Sequence, residues 1–191
     1  MNVRPENPVI VQGDGKVLVE TSHRRHAEAR DFLSRFAELE QSPEHLHTYR
    51  ISPLSLWNAA AAGVSQTELV KGLKDLSKFD IPKNVLDSIH ETMERYGLVK
   101  LIPHPDRKDL LRLEFATAYI AKVVSALPAA KEMMVADGRR WWGIQAGHRG
   151  LFKQRMLTSG WPIEDLAGFS PGAHLEIKLR QTTKLAQKPF V

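Results

Sequence analysis

Cysteine is absent from the 191 residues, which excludes a disulfide, a thiol nucleophile and any cysteine-ligated zinc. No apolar run approaches the roughly 20 residues that a membrane-spanning helix needs, so no membrane partner is expected. The opening MNVRPENPVI has polar residues and two prolines where a secretory signal would carry an unbroken apolar stretch. A cytoplasmic location is the expectation. The motifs of common catalysts are missing too. There is no G-x-x-x-x-G-K-[ST], no G-x-S-x-G elbow and no H-E-x-x-H helix. The nearest approach to a phosphate loop, Gly143-Ile144-Gln145-Ala146-Gly147-His148-Arg149-Gly150, lacks the Lys-Ser/Thr end, although the helix that follows can attract an anion weakly. Glu164-Asp165 reads as a turn pair that caps a helix or faces water. No catalytic residue, cofactor site or metal site is therefore expected, and the chain alone should hydrolyse no ATP.

What is present is ordinary globular composition, 42% hydrophobic and 26% charged, enough for one large domain or two small ones. The net charge of +5 is uneven. Residues 1–50 hold 7 basic and 8 acidic side chains, residues 51–115 hold 9 of each, and residues 116–191 hold 11 and 5. A local basic excess concentrates polyanions and favours nucleic acid in a salt-dependent way.

Periodicity gives an α+β fold. VIVQ and KVLVE flank Gly13-Asp14-Gly15 as a hairpin. From about Arg24, Phe32, Leu33, Phe36 and Leu39 fall on one helical stripe. His23 and His26 lie near its start and His45 and His47 follow it, with no third metal ligand signalled nearby. Ser52-Pro53 starts a helix that ends at Gly63, and Ser65-Gln66-Thr67-Glu68 is a capping box that opens a second. Pro82 to Gly97 makes a third, with Val85, Leu86, Ile89, Met93 and Tyr96 on one side. A hairpin from Val99 to Phe115 then completes the order of a winged helix. Its third helix presents Lys83, Asn84, His90 and Arg95, with Arg107 and Lys108 at the wing tip. Asp87, Glu91 and Glu94 on the same helix repel phosphate, which suits protein docking at least as well.

The last third reads as a helix near Tyr119–Leu127, a short helix over Ala129–Met134 ended by Asp137-Gly138, and a strand from Arg139 to Ile144. A helix over LFKQRMLTS follows, then a turn at Trp161-Pro162 and a strand carrying Leu175, Ile177 and Leu179. It gathers cations and aromatics: Arg139, Arg140, Trp141, Trp142, Arg149, Lys153 and Arg155. Such cations grip phosphates, and an exposed tryptophan stacks on an unpaired base for about 1–3 kcal/mol. Adjacent strand residues point to opposite faces, so one tryptophan at most is exposed. Trp142 is taken with the cations as the candidate, alongside Lys83, Asn84 and Arg95.

The segment His47–Gly97 resembles the N-terminal domain of bacterial XPB/Ssl2-type DNA repair helicases. The resemblance is carried by Thr48-Tyr49-Arg50-Ile51, Pro53-Leu54-Ser55-Leu56-Trp57-Asn58-Ala59, Pro82-Lys83-Asn84-Val85 and Arg95-Tyr96-Gly97. It extends back through PVIVQGDGKVLVE and FAELEQSPEHLHTY and returns at Arg149-Gly150, Lys153-Gln154 and Gly160–Gly168, with sparse matching over 103–147. The resemblance implies an ATP-dependent 3′-to-5′ superfamily 2 helicase used in repair, of which this is the region before the motor. ATP and magnesium would belong to the parent's ATPase core, a partner in cis or in trans. The implied domains are 1–115, with a winged-helix-like unit at 52–115; a small basic α/β domain at 116–180 resembling one that senses damaged DNA; and a linker at 181–191. The function implied is a non-catalytic, DNA-binding, damage-sensing accessory region truncated before the motor. The alternatives are a protein-docking module that recruits a partner such as a nuclease, with little DNA affinity, and a free-standing transcriptional regulator.

Overall fold

The computed structural model describes residues 3–138 and 141–169. The fold is α+β, with two sheets and a separate apolar core on each.

The first half begins with the expected hairpin, β1 (Val9–Val11) and β2 (Lys16–Glu20), in the register Val9↔Val19 to Val11↔Val17. Helix α1 (His26–Leu33) follows, then β3 (Glu38–Gln41) and β4 (Leu46–Arg50). The antiparallel sheet has the order β1-β2-β4-β3. Val9, Val11, Val17, Val19 and Tyr49 turn one face inward, as the two-residue strand repeat requires. All four residues of β3 are exposed at the sheet edge.

Three helices complete this core: α2 (Pro53–Ala61), α3 (Gln66–Leu76) and α4 (Lys83–Glu94). Ser52 caps α2 in a reciprocal box with Ser55. Ser65 Oγ accepts the Glu68 N–H at 3.1 Å. Glu68 itself reaches Arg35 at 2.7 Å instead of closing the box. Trp57 Nε1 donates to the Thr92 carbonyl at 2.8 Å and ties α2 to α4. Gly97, at φ +83°, turns the chain out of α4, a backbone conformation that glycine alone adopts freely.

Gly72 sits in the middle of α3 directly under Phe32, and a Cβ there would lie 2.4 Å from the ring. Alanine is worth about 1 kcal/mol over glycine within a helix, but forcing atoms into a filled space costs about 1–3 kcal/mol. Gly72→Ala is expected to lower stability by about 1 kcal/mol in chemical unfolding. A gain would show that Phe32 swings aside freely.

The second half comprises β5 (Val99–Pro103), β6 (Leu110–Phe115), α5 (Ala118–Ser125), α6 (Pro128–Lys131), β7 (Met134–Asp137), β8 (Trp141–Gln145), α7 (Arg149–Thr158) and β9 (Glu164–Asp165). The sheet order is β7-β8-β6-β5-β9, antiparallel except for the parallel β5–β9 pair. Val99, Leu101, Leu113, Val124, Ile144, Phe152 and Met156 fill its core.

Three expectations change. The hairpin β5–β6 follows the three helices in order, but it pairs with β8 and gives its apolar face to the second core. The three helices already bury their stripes against β1, β2 and β4, whereas Leu111 and Leu113 need the cover that the second unit supplies. The buried residues of the first core run to Met93, and those of the second begin at Val99. Met134–Asp137, read as the end of a helix, is strand β7. Glu164-Asp165, read as a turn, is strand β9. The strand expected at 175–179 and the linker at 181–191 lie outside the described residues. Among the described residues, no helix is long and apolar enough to cross a membrane.

Candidate functional site

The sequence candidates scatter, and most of their charges are already engaged. Helix α7 projects Arg149 and Lys153 one turn apart, on the same side. Both converge on Asp165 of β9. Arg149 grips this carboxylate with Nε at 2.7 Å and Nη2 at 2.6 Å, and Lys153 Nζ donates to it at 2.8 Å. The Ala167 N–H adds a fourth bond at 3.2 Å. Only 8% of the Asp165 side chain is exposed. Burial alone would raise its pKa, but the bonds from Arg149, Lys153 and Ala167 outweigh that and hold it below the ordinary carboxylate value. Arg149 also donates to the Gly168 carbonyl and lies 4.3 Å from the Phe169 ring centroid. Far from facing water, Asp165 is the lock that holds α7 to the sheet edge. Two of the expected phosphate-gripping cations are its partners.

Arg155 pairs with Glu132. Arg95 donates to the Gly160 carbonyl at 3.3 Å and lies over Trp161 at 5.9 Å, bridging the two units. Asn84 donates to the Gly13 carbonyl at 2.7 Å, so it holds the first hairpin turn. Lys83 pairs with Asp87 at 2.6 Å but is 87% exposed, and so exposed a pair holds the lysine only weakly. Arg139 and Arg140 lie outside the described residues. Among the described residues from 116 on, five basic side chains face four acidic ones. Residues 139–140 and 170–191 therefore carry five of the six charges of basic excess in that third.

The tryptophan pair is resolved by register. Trp142 stands opposite Leu113 and packs against the second core, whereas Trp141 is 45% exposed. Of the two rings, Trp141 is therefore the one open to solvent. On the outer face of the sheet, Arg112 lies opposite Gly143, and Asp137 opposite Trp141. Arg112 sits 4.9 Å from the Trp141 ring centroid and donates twice to Asp137, at 2.8 and 3.0 Å. His104, with 5% of its side chain exposed, completes the group. Its Nδ1 accepts the N–H groups of Asp106 and Arg107 at 3.1 and 3.0 Å. The ring hydrogen is thereby assigned to Nε2, which meets Asp137 at 3.1 Å. The bonds from Arg112 hold the Asp137 carboxyl below its ordinary range, against burial, with His104 helping. This arrangement fixes one aromatic ring on an open sheet face. It offers no nucleophile beside a base. Sequence reasoning missed it because its members lie on three separate strands and a loop.

A cleft of about 430 Å³ opens where the two units meet, lined by Leu54, Trp57, Tyr96, Leu157 and Ile163 among others. Leu54 is 44% exposed. Among the described residues, no group of three or more histidine, aspartate or glutamate side chains is placed to hold a metal ion.

Residues 9–138 match the model of the family described as helicase conserved C-terminal domain. The match runs through 103–138, where the quoted motifs were sparse. Among curated proteins, the chain is 38% identical over 176 residues to DNA 3′-5′ helicase XPB of Mycobacterium tuberculosis, covering 92% of this chain and 32% of that protein. It is 36% identical to the protein of the same name from Kineococcus radiotolerans, covering 92% and 31%. It is 34% identical over 119 residues to the general transcription and DNA repair factor IIH helicase/translocase subunit XPB of Drosophila melanogaster, covering 56% and 15%. The chain spans about a third of the length of the bacterial relatives.

Proposed function

Because this chain belongs to the helicase conserved C-terminal domain family and resembles part of the XPB helicases, we propose that it is a DNA-engaging accessory region. It would hold duplex or damaged DNA while an ATP-driven core, in cis or in trans, supplies the force. The observation that carries this reading is the match over 92% of the chain to a DNA 3′-5′ helicase, in a sequence with no loop to cradle a nucleoside triphosphate.

In this reading the labour is divided. Trp141 offers a ring to an unstacked base, Arg112 and Asp137 hold that ring in place, and Arg139 and Arg140 next to it in sequence supply charge for phosphate. Arg149 and Lys153 keep their structural place against Asp165.

The test is fluorescence anisotropy with duplex, mismatched and single-stranded oligonucleotides across a salt series. Trp141→Ala is expected to weaken binding to single-stranded or mismatched DNA about tenfold, with little effect on matched duplex. Changing Arg139 and Arg140 to Ala should weaken all DNAs and lower the salt slope by about 2. No salt-dependent binding even at low ionic strength would sink the reading.

One observation favours a second role, a protein-docking module for a partner such as a nuclease. The candidate cations Arg149, Lys153 and Arg155 are paired within the chain, and an apolar cleft with Leu54 at its edge stays open between the units. Absent DNA binding, with partner binding lost on Leu54→Glu, would establish that role.

A further inference from the structure

The first core carries an unusual contact at its rim. His26, in the first turn of α1, meets His47 of β4 edge to face, with ring centroids 5.2 Å apart. Strand register places His47 opposite the fully buried Val19, on the sheet face that also carries Val17 and Tyr49. His26 Nε2 and His47 Nδ1 are both sealed from solvent, with no hydrogen-bond partner. A neutral imidazole has one donor and one acceptor nitrogen, so each ring leaves a polar atom unsatisfied. A charged ring in the same place would fare worse.

The charged surroundings do not help a proton to stay. On α1, Arg30 acts on His26 with a like charge, and its own partner is Asp31. Glu28 is taken by Arg25 in a two-pronged pair. Just before β4, His45 lies two residues ahead of His47, with Glu44 beside it and both largely exposed, and Tyr49 lies two residues after His47 on the strand. On β2, Val19 is the neighbour, while Glu20 alternates to the other face and is held by Lys78. In the turn before α1, His23 Nδ1 accepts the Arg25 N–H. Among the described residues, no carboxylate bonds either ring of the pair. Burial first, then His47 and Arg30, hold His26 below the ordinary histidine value.

We propose that the His26–His47 contact is an acid-operated latch. With both rings neutral, α1 rests on the sheet; a proton taken up at His26 lifts its first turn from β4 and loosens Phe32 from Gly72 on α3. The sign follows from linkage. A histidine whose folded value is depressed makes the opened state bind the extra proton, so stability is lost as pH falls through the unfolded value of about 6.5. One proton taken up on opening shifts the opening equilibrium about tenfold between pH 7.5 and 5.5.

Amide hydrogen exchange of the whole chain tests this, corrected for the intrinsic rate at each pH. Protection at Ala29–Leu33 is expected to fall about tenfold from pH 7.5 to 5.5, while protection at Leu69–Leu76 holds. The double variant His26→Phe/His47→Phe keeps two packed rings and should lose the pH dependence. Equal protection at both pH values in the unaltered protein, the same fall in the double variant, or a fall shared equally by α3 would each overturn the latch. Should the double variant fail to fold, the ring-proton resonances of His26 decide. They must titrate in step with the loss of α1 protection, and titration out of step overturns the proposal.

Discussion

Truncating Phe152 to alanine is expected to cost about 4 kcal/mol, and to cost it in one half of the molecule. Phe152 is fully buried in α7, among Leu101, Leu113, Ile144 and Met156 of the second core. Removing a buried aromatic ring typically costs about 3–5 kcal/mol, from lost transfer free energy and from the cavity left behind. The two cores share no buried residue. Hydrogen exchange should therefore show protection falling at Leu111–Leu113 and Ile144, while Ala59, Leu73 and Ile89 keep theirs. Equal losses in both sets would mean that the units unfold as one cooperative body.

Replacing Asp165 with asparagine should cost about 3 kcal/mol in denaturant unfolding. The carboxylate is the shared partner of Arg149 and Lys153, and an asparagine amide would turn donors toward donors. Removing one member of a buried ion pair leaves the others uncompensated, at about 3–5 kcal/mol. The lower end applies because the Lys153 side chain is 38% exposed, and water screens that arm. The pH dependence gives an independent reading. Because the folded carboxyl titrates below its ordinary value, its contribution is complete above about pH 4 and drains away as the pH falls below that. In Asp165→Asn that part of the acid-induced loss should vanish. A cost under about 1 kcal/mol, with an unchanged acid profile, would show a solvated surface pair instead of a lock.

The parts of the fold that could be read in advance are those written locally. Ser52-Pro53, Ser65 and Gly97 mark helix ends through hydrogen bonds and dihedral angles that involve only near neighbours. The turn glycines and the alternation of Leu111 with Leu113 define hairpins in the same way. The parts that stayed hidden depend on distant partners. Glu38–Gln41 has no apolar alternation, because β3 is exposed on both faces. Met133 and Met134 continue an apolar run, and only the neighbouring β8 turns Met134–Asp137 into a strand. Two residues, Glu164 and Asp165, are too short a strand to leave a periodicity.

The candidate site divides along the same line. The sequence presents Arg149 and Lys153 as cations free to grip phosphate. Their partner lies 16 and 12 residues further on, and nothing in the local pattern announces it. Alternation rightly allowed one exposed tryptophan, but choosing Trp141 requires knowing that Trp142 meets Leu113. Asn84 looked like a groove-reading side chain because its acceptor, the Gly13 carbonyl, is 71 residues away.

The outermost strand of the first sheet has a bearing on how the molecule behaves in a crowded solution. A rim strand leaves a row of backbone donors and acceptors open to any passing chain, and runaway pairing is the ordinary hazard. Here that rim carries Glu38 and Glu40, with a register irregularity between Leu39 and Gln41. The glutamates are tethered sideways to Ser52 and Arg50. A second molecule approaching in register would set like charges side by side along a bent ribbon. Edge-to-edge pairing is thereby disfavoured at this rim, by the very residues that hid the strand from view.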